Sequence, residues 1–445
     1  MHVFFSGIGG TGIGPLALIA KQAGYQVSGS DEKDSQYIHY LKEHGVSGIH
    51  IGQTADQIAA VHSREPIDWF VHTSALTDQH PELAFCNQHG IKIAKQYEFL
   101  NKILSNSDQK LIAIAGTHGK TTTTAMAIWL FKQLNNPISY SVGAKVSFGD
   151  MGNFEPQGRY FVAESDEFDR KFLVLKPRLA IITGLAWDHH EIYPTQEEYN
   201  NAFRKFLNQS QQQVLWQEDA DQLGIQPGDK ALILSEADSQ IDKIKLAGLY
   251  NRRDAFLVAH AVHQLTREPL VKLLDLLSKF PGVSRRFEKI TDNLYSDYAH
   301  TPEKIRGVMN VALETTHPTG QKIVVVYEPL TNRRMHYTRD AHHGVFDGAS
   351  KIYWVPSYLA REDPDQPVLE PSELIESLSS QLQTIAQPAE LDNKLKESID
   401  KHLASGDLVL ALSGGGGNSL DEWLRKEIGS QRPSVESLRA AESKS

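Results

Sequence analysis

The sequence predicts an α/β fold of three domains, each built on a largely parallel sheet wrapped by helices, and three observations predict it. A short apolar run, a glycine-bearing turn and a helical segment follow one another at three places. Those places are about 110 and then 300 residues apart, too far for a solenoid repeat, so each reads as the start of its own α/β unit. The length of 445 residues is also too great for one core and suits two or three.

The first start is the strand pattern His2 to Ser6, a turn from Gly7 to Gly12, and a helix through Ala23. The second is the apolar run Lys110 to Ala115, a turn from Gly116 to Gly119, and a helix through Leu134. The third is Leu408 to Leu412, then Ser413-Gly-Gly-Gly-Gly417 and a helical stretch to Lys426. The polar stretch Ser105-Asn-Ser-Asp-Gln109 reads as a linker. A second boundary is expected near Arg285 to Lys289, before the strand-like run Asn293 to Tyr298. Domains are therefore expected at 1–107, 108–286 and 287–445. The Gln- and Asp-rich stretch from Gln209 to Lys245 is poorly periodic and reads as a surface excursion with one strand, Ala231 to Leu234. The polar end, Arg439-Ala-Ala-Glu-Ser-Lys-Ser445, is expected to fray.

Apolar content of 40% and charged content of 22% are those of a globular protein. A net charge of −10 argues against a general nucleic-acid binder, because no basic face is available to neutralise many phosphates. The single Cys86 excludes an internal disulfide framework and a cysteine-based zinc cluster, and reads as a small buried hydrophobe. No basic and apolar leader is visible at Met1 to Phe5, and no apolar run reaches membrane-spanning length. A cytoplasmic chain without membrane contact, monomeric or homodimeric, is expected.

The turn Gly7-Ile-Gly9-Gly10-Thr11-Gly12 satisfies G-x-G-x-x-G between a strand and a helix, and Asp31 follows 19 residues after Gly12. This is the Rossmann-like fingerprint: glycines let the backbone approach a diphosphate and the helix N-terminus attracts its charge. It supports a nucleotide diphosphate without saying which, and by itself admits an NAD enzyme or a plain tight turn. The turn Gly116-Thr117-His118-Gly119-Lys120-Thr121-Thr122 is a shortened Walker A signature, with Ile114 where the first glycine usually stands. Behind a buried strand run it predicts a P-loop NTPase-like sheet: amides cradle phosphate, Lys120 pairs with the β/γ-phosphates, and the Thr121 hydroxyl ligates Mg²⁺. Two more strand runs end in Glu164-Ser-Asp166-Glu167 and in Asp188-His189-His190. Ligands gather at the carboxyl ends of parallel strands, so Glu164 and His189 are candidates to join Thr121 at a metal.

These segments resemble the Mur ligases of peptidoglycan synthesis, in the same order over nearly the whole chain. The resemblance rests on Gly7 to Gly12 with Val27-Ser-Gly-Ser-Asp31, on Thr73-Ser-Ala-Leu76 with His80-Pro-Glu82, and on Gly116 to Thr123. It continues through Glu164-Ser-Asp-Glu167, Asp188-His189, Gly282-Val-Ser-Arg-Arg286-Phe-Glu288 and Asp297-Tyr-Ala-His300-Thr-Pro302. It implies an N-terminal and a C-terminal Rossmann-like domain around the P-loop domain. It also implies an ATP- and Mg²⁺-dependent amide-bond ligase acting on UDP-N-acetylmuramate through an acyl phosphate.

The resemblance further implies residue roles. Gly116, Thr117, His118, Gly119, Lys120, Thr121 and Thr122 would hold ATP, with Asn251 at the adenine end and Arg286, Asp297 and His300 completing the site. Lys120, Glu164, His189 and Arg286 would be catalytic, and Thr121, Glu164 and His189 would hold the metal. Gly9, Gly10, Thr11, Gly12, Asp31, Ser74 and Ala75 would hold the UDP-sugar. Tyr250 and Asp254 depart from the family's G-x-H-N-x-x-N-A, and Gly184 stands where an asparagine is usual. The second substrate is expected to be L-alanine, toward which Gly282 to Glu288 and His190-Glu-Ile-Tyr193 lean. A recycled tripeptide is the alternative, toward which Glu328-Pro-Leu-Thr-Asn-Arg333 and Ser413 to Gly417 lean, and another amino acid stays open. Arg333, Arg334 and Arg339 read equally as a carboxylate grip or a solvated loop. An NAD-dependent oxidoreductase and a non-catalytic nucleotide-binding scaffold remain as alternatives.

Overall fold

The computed structural model describes residues 1–429 apart from Ser74, Ala75, Glu191 and Arg361, together with the side chain of Gln36. The expected fraying of the last residues lies outside this range. The chain forms two compact units, Met1–Leu246 with Asn251–Pro281, and Ala247–Tyr250 with 282 onward.

The first unit carries two sheets. Strands β1 (His2–Ser6), β2 (Gln26–Asp31), β3 (Ile49–Ile51), β4 (Trp69–His72) and β5 (Lys92–Lys95) form a sheet of order β3-β2-β1-β4-β5. All its pairings are parallel. The strand order reverses between β1 and β4, which opens a crevice at their carboxyl ends, where the first glycine loop lies.

The second sheet comprises β6 (Lys110–Ala115), β7 (Ile138–Ser141), β8 (Gly152–Asn153), β9 (Tyr160–Glu164), β10 (Leu179–Ile182), β11 (Gln212–Trp216) and β12 (Ala231–Leu234). Its order is β12-β11-β10-β6-β9-β7-β8, parallel except for β7 with β8. Strand β6 thus lies between β10 and β9, so the loop after it emerges beside the two strand ends singled out in the sequence. One buried apolar cluster runs through both sheets, from Val3 and Phe5 to Leu111, Ala113, Phe161 and Phe172.

The expectation of one strand between Gln209 and Lys245 is corrected. That stretch holds β11 and β12, which continue the sheet, and the helix Gln217–Leu223 that joins them. The missed strand opens with two glutamines. Gln213 is nonetheless buried, its Nε2 donating to the Leu207 carbonyl at 2.8 Å, so a satisfied amide stands where an apolar residue is the usual signal.

The second unit is built on β13 (Glu288–Thr291), β14 (Leu294–Asp297), β15 (Ile323–Glu328), β16 (Ala349–Trp354), β17 (Ala386–Pro388) and β18 (Leu408–Ser413), in the order β13-β14-β18-β15-β16-β17. Only β13 runs antiparallel to its neighbour. Both faces are covered. Leu408, Leu410 and Leu412 enter one core cluster, while Val409 and Ala411 enter the other. That is why β18 reads as an unbroken apolar run rather than an alternating one.

Candidate active site

The loop after β6 is shaped by two glycines. Gly116 has φ +138°, and a Cβ there would lie 2.3 Å from Thr183 Oγ1; Gly119 has φ +78° and caps the helix Lys120–Gln133. Other residues are strained in that backbone region, and at Gly116 a side chain would also collide. The first amides of the helix have no intrahelical acceptor, and its dipole places partial positive charge at the same end. Thr117 ties the loop to the end of β10: its N–H donates to the Gly184 carbonyl at 2.9 Å, and its Oγ1 accepts from Ala186 N–H at 2.8 Å. His118 is exposed, and its carbonyl accepts from the Thr183 hydroxyl.

Lys120 turns its ammonium back into the loop, 2.5 Å from the Gly116 carbonyl and 2.8 Å from Glu167 Oε2. The Glu167 side chain is 1% exposed. Burial pushes its carboxyl above the usual range, and the adjacent ammonium opposes that shift. The Thr121 hydroxyl donates to Glu164 Oε2 at 3.2 Å, and Glu164 Oε1 accepts from Gly143 N–H at 2.6 Å. Thr121 and Glu164 are therefore brought together. His189, with φ +54°, lies beside Glu167, its Nε2 3.6 Å from Glu167 Oε1. Asp166, Glu167 and His189 offer ligand atoms within 4.8 Å of one another.

The helix Leu249–Thr266 holds Asn251 and, three residues on, Asp254. Asp254 is 6% exposed, and its carboxyl oxygens would lie 2.9 and 3.1 Å from a Cβ on Gly119. Burial pushes this carboxyl well above the usual carboxylate range, and the Thr123 hydroxyl opposes that shift. Glu167 and Asp254 are among the site neighbours to which sequence reasoning assigned no role. The E-S-D-E run pointed at the first, and nothing local signalled the burial of the second.

In the first glycine loop, the N–H groups of Gly7 and Ile8 donate to the Ser30 carbonyl at 2.8 and 3.0 Å. Asp31 Oδ2 accepts from Gly9 N–H at 2.9 Å, so this carboxylate shapes the loop itself. Gly10 N–H donates to the Gly7 carbonyl at 3.0 Å, Thr11 is exposed, and Gly12 caps the helix Ile13–Gln22. Behind the loop, buried Glu82 accepts from the Ser6 hydroxyl at 2.6 Å. Ser74 and Ala75 lie outside the described residues.

In the second unit, Asp297 ends β14 and accepts from Phe287 N–H and Ala299 N–H, each at 2.7 Å. Burial raises its carboxyl, with the Arg286 charge opposing. The Arg286 guanidinium stands 4.9 Å from the Tyr298 ring centre. His300 Nδ1 donates to the Tyr298 carbonyl at 2.7 Å, and burial drives this imidazole down to about 3, holding it neutral. Asp297, Arg286 and His300 thus cluster around Tyr298. Arg333 and Arg334 lie on the helix Asn332–Thr338, with Arg339 just beyond it.

Comparison with known proteins bears on this geometry. Residues 2–107 match the Mur ligase family, catalytic domain, and residues 114–252 match the Mur ligase middle domain. The chain belongs to the Mur ligase family. It is 27% identical to the UDP-N-acetylmuramate–L-alanine ligase of Thermobifida fusca (strain YX), over 96% of this chain and 97% of that one. It is 29% identical to the enzyme of the same name from Renibacterium salmoninarum, over 93% of each. Among solved structures it resembles the UDP-N-acetylmuramate–alanine ligase of Thermotoga maritima, with a TM-score of 0.75 and 24% identity over 97% of this chain and 99% of that one. It also resembles a murein peptide ligase of Psychrobacter arcticus, with a TM-score of 0.63 and 21% identity over 98% and 100%. At these identities the structural likeness speaks for the fold.

Proposed function

We propose that this chain is an ATP- and Mg²⁺-dependent ligase that joins L-alanine to UDP-N-acetylmuramate, releasing ADP and phosphate. The observation that carries the reading is the arrangement after β6. A glycine cradle and a helix N-terminus adjoin an ammonium held by anionic and carbonyl oxygens, next to a threonine hydroxyl 3.2 Å from a carboxylate. Such a cradle fits a triphosphate. The Thr121 and Glu164 oxygens suit a hard cation, with His189 a further ligand beyond them. When bound, the metal would neutralise charge on the β- and γ-phosphates.

In this reading the substrate carboxylate attacks the γ-phosphorus. The P–O bond to ADP breaks, and an acyl phosphate forms. The amine then attacks the acyl carbon, and phosphate leaves with one of the original carboxylate oxygens. Lys120 exchanges its contacts with Gly116 and Glu167 for phosphate oxygens, and the loop amides 116–122 cradle the same group. Asn251 serves the adenine end. The family resemblance assigns Arg286, Asp297 and His300 to ATP as well, and a guanidinium is suited to stabilising charge on a transferring phosphoryl group. Gly9, Gly10, Thr11, Gly12 and Asp31, with Ser74 and Ala75, form the UDP-sugar site.

The relatives from Thermobifida fusca and Renibacterium salmoninarum, matched over 93–97% of both chains, are named for L-alanine, which favours that amine over a tripeptide. An oxidoreductase reading would leave the second glycine loop and its partners unused, and family membership sets it aside. We place the domains at 1–107, 108–286 and 287–445, and the protein in the cytoplasm as a monomer or homodimer. No helix among the described residues is long and apolar enough to cross a membrane.

The test is ATP-dependent phosphate release with UDP-N-acetylmuramate and one amine at a time: L-alanine, L-serine, glycine or the tripeptide. Turnover with L-alanine is expected. Turnover with the tripeptide alone would contradict the amine assignment, and no turnover with any amine would favour a binding scaffold.

A further inference from the structure

The first turn of the helix Gln96–Ser105 touches the first glycine loop and the turn that follows β9. Gln96 Nε2 donates to the Gly12 carbonyl at 2.9 Å, at the point where the first loop becomes helix. The adjacent Tyr97 is 8% exposed. Its hydroxyl donates to the Glu164 carbonyl at 3.2 Å and accepts from Asp166 N–H at 3.1 Å. Lys95, one residue earlier, reaches Asp169 Oδ2 at 3.2 Å.

The Tyr97 contact falls just past the end of a sheet ladder. The ladder between β6 and β9 closes at Ile114 and Glu164, and Ser165 N–H makes one more bond, to the Ile114 carbonyl at 2.8 Å. Beyond it the phenol holds a carbonyl on one side of Ser165 and an amide on the other. A hydroxyl that donates to one group and accepts from the other fixes the turn from both ends. The Glu164 carboxylate that meets Thr121 is borne on this turn. Gln96 and Tyr97 are neighbours in one rigid helical turn, so a shift of residue 12 and a shift of residues 164–166 are not independent.

We infer that Gln96 and Tyr97 are positioning residues that couple occupancy of the first glycine loop to the placement of Glu164 at the second. The inference rests on the proposed reading that the first loop takes the UDP-sugar and the second takes Mg·ATP. A ligand at residues 9–12 would then bias Glu164 toward the geometry that takes Mg·ATP, and bound Mg·ATP would by reciprocity favour the first-loop ligand.

The test uses the full-length protein, a non-hydrolysable ATP analogue with Mg²⁺, and calorimetry with and without saturating UDP-N-acetylmuramate. Wild type is expected to bind the analogue about fivefold or more tightly when the UDP-sugar is bound, a typical coupling between sites. Tyr97→Phe is expected to reduce that factor below about twofold and to raise the Mg²⁺ concentration for half-maximal rate, while leaving UDP-sugar affinity and Tm near wild type. Gln96→Leu, which leaves Tyr97 in place, is expected to reduce the coupling as well. Wild-type coupling in both variants would overturn the inference, as would wild type binding both ligands without coupling. Failure of wild type to bind the ATP analogue would instead overturn the functional reading beneath it.

Discussion

Lys120 Nζ and Glu167 Oε2 form an ion pair at 2.8 Å, with the carboxylate side chain 1% exposed and the lysine side chain 17% exposed. Removing one partner of a buried pair strands the other, at a cost of about 3–5 kcal/mol when burial is complete. Lys120→Met is therefore expected to lower Tm as well as cut kcat by about 100-fold or more, as lost phosphoryl-charge stabilisation does. The double variant Lys120→Met/Glu167→Gln should regain Tm without regaining turnover. If Tm and turnover return together, the lysine acts only through the fold.

Thr121 and Glu164 present oxygens 3.2 Å apart. Thr121→Val keeps the shape and removes the hydroxyl. Glu164→Gln keeps the shape and removes the charge. Each should raise the Mg²⁺ needed for half-maximal activity by about tenfold or more, and Thr121→Ser should restore it. Mg²⁺ titration of initial rates checks this, and an unchanged midpoint in both Thr121→Val and Glu164→Gln would contradict the metal assignment.

Asp254 lies buried beneath Gly119, where burial favours the protonated form of its carboxyl. A neutral carboxyl and an amide are alike in shape and charge, so Asp254→Asn should keep kcat and the KM for ATP within about twofold of wild type. Steady-state kinetics decide the point. A loss of tenfold or more would mean that the charged form is needed.

Asp219, in the first turn of its helix, accepts from Leu185 N–H at 2.8 Å through Oδ1, and burial pushes its carboxyl up to about 7. An acid whose folded pKa is raised holds its proton more tightly when folded. Its contribution to stability is full below the unfolded value near 4 and is lost as pH rises through about 7. Asp219→Asn removes this loss. Its Tm relative to wild type should be higher at pH 8 than at pH 5, with a stability difference on the order of 2–3 kcal/mol at most. Calorimetry at the two pH values tests it, and a difference independent of pH would contradict the assignment.

Much of this site could be read from sequence because its parts are local. The strand Lys110–Ala115 stands out as an apolar run between a polar linker and a glycine, and its observed ends coincide with that run. Glu164 and His189 stood out because each follows a strand-like run, and β9 and β10 do flank β6. What was hidden depends on tertiary partners. Glu167 is drawn in by a lysine 47 residues away. Asp254 reads in the sequence only as a departure from the family's motif, and its burial, which favours the protonated carboxyl, is a tertiary feature. Strand β11 was lost to its two leading glutamines, whose partners no local pattern reveals.

The most direct test of the central claim follows one oxygen atom. UDP-N-acetylmuramate labelled with ¹⁸O in its lactyl carboxylate is turned over with ATP, Mg²⁺ and L-alanine, and the released phosphate is analysed by mass spectrometry. The acyl-phosphate route predicts inorganic phosphate carrying one carboxylate-derived ¹⁸O for each amide formed. Amide formation with unlabelled phosphate, or phosphate release without amide, would contradict it.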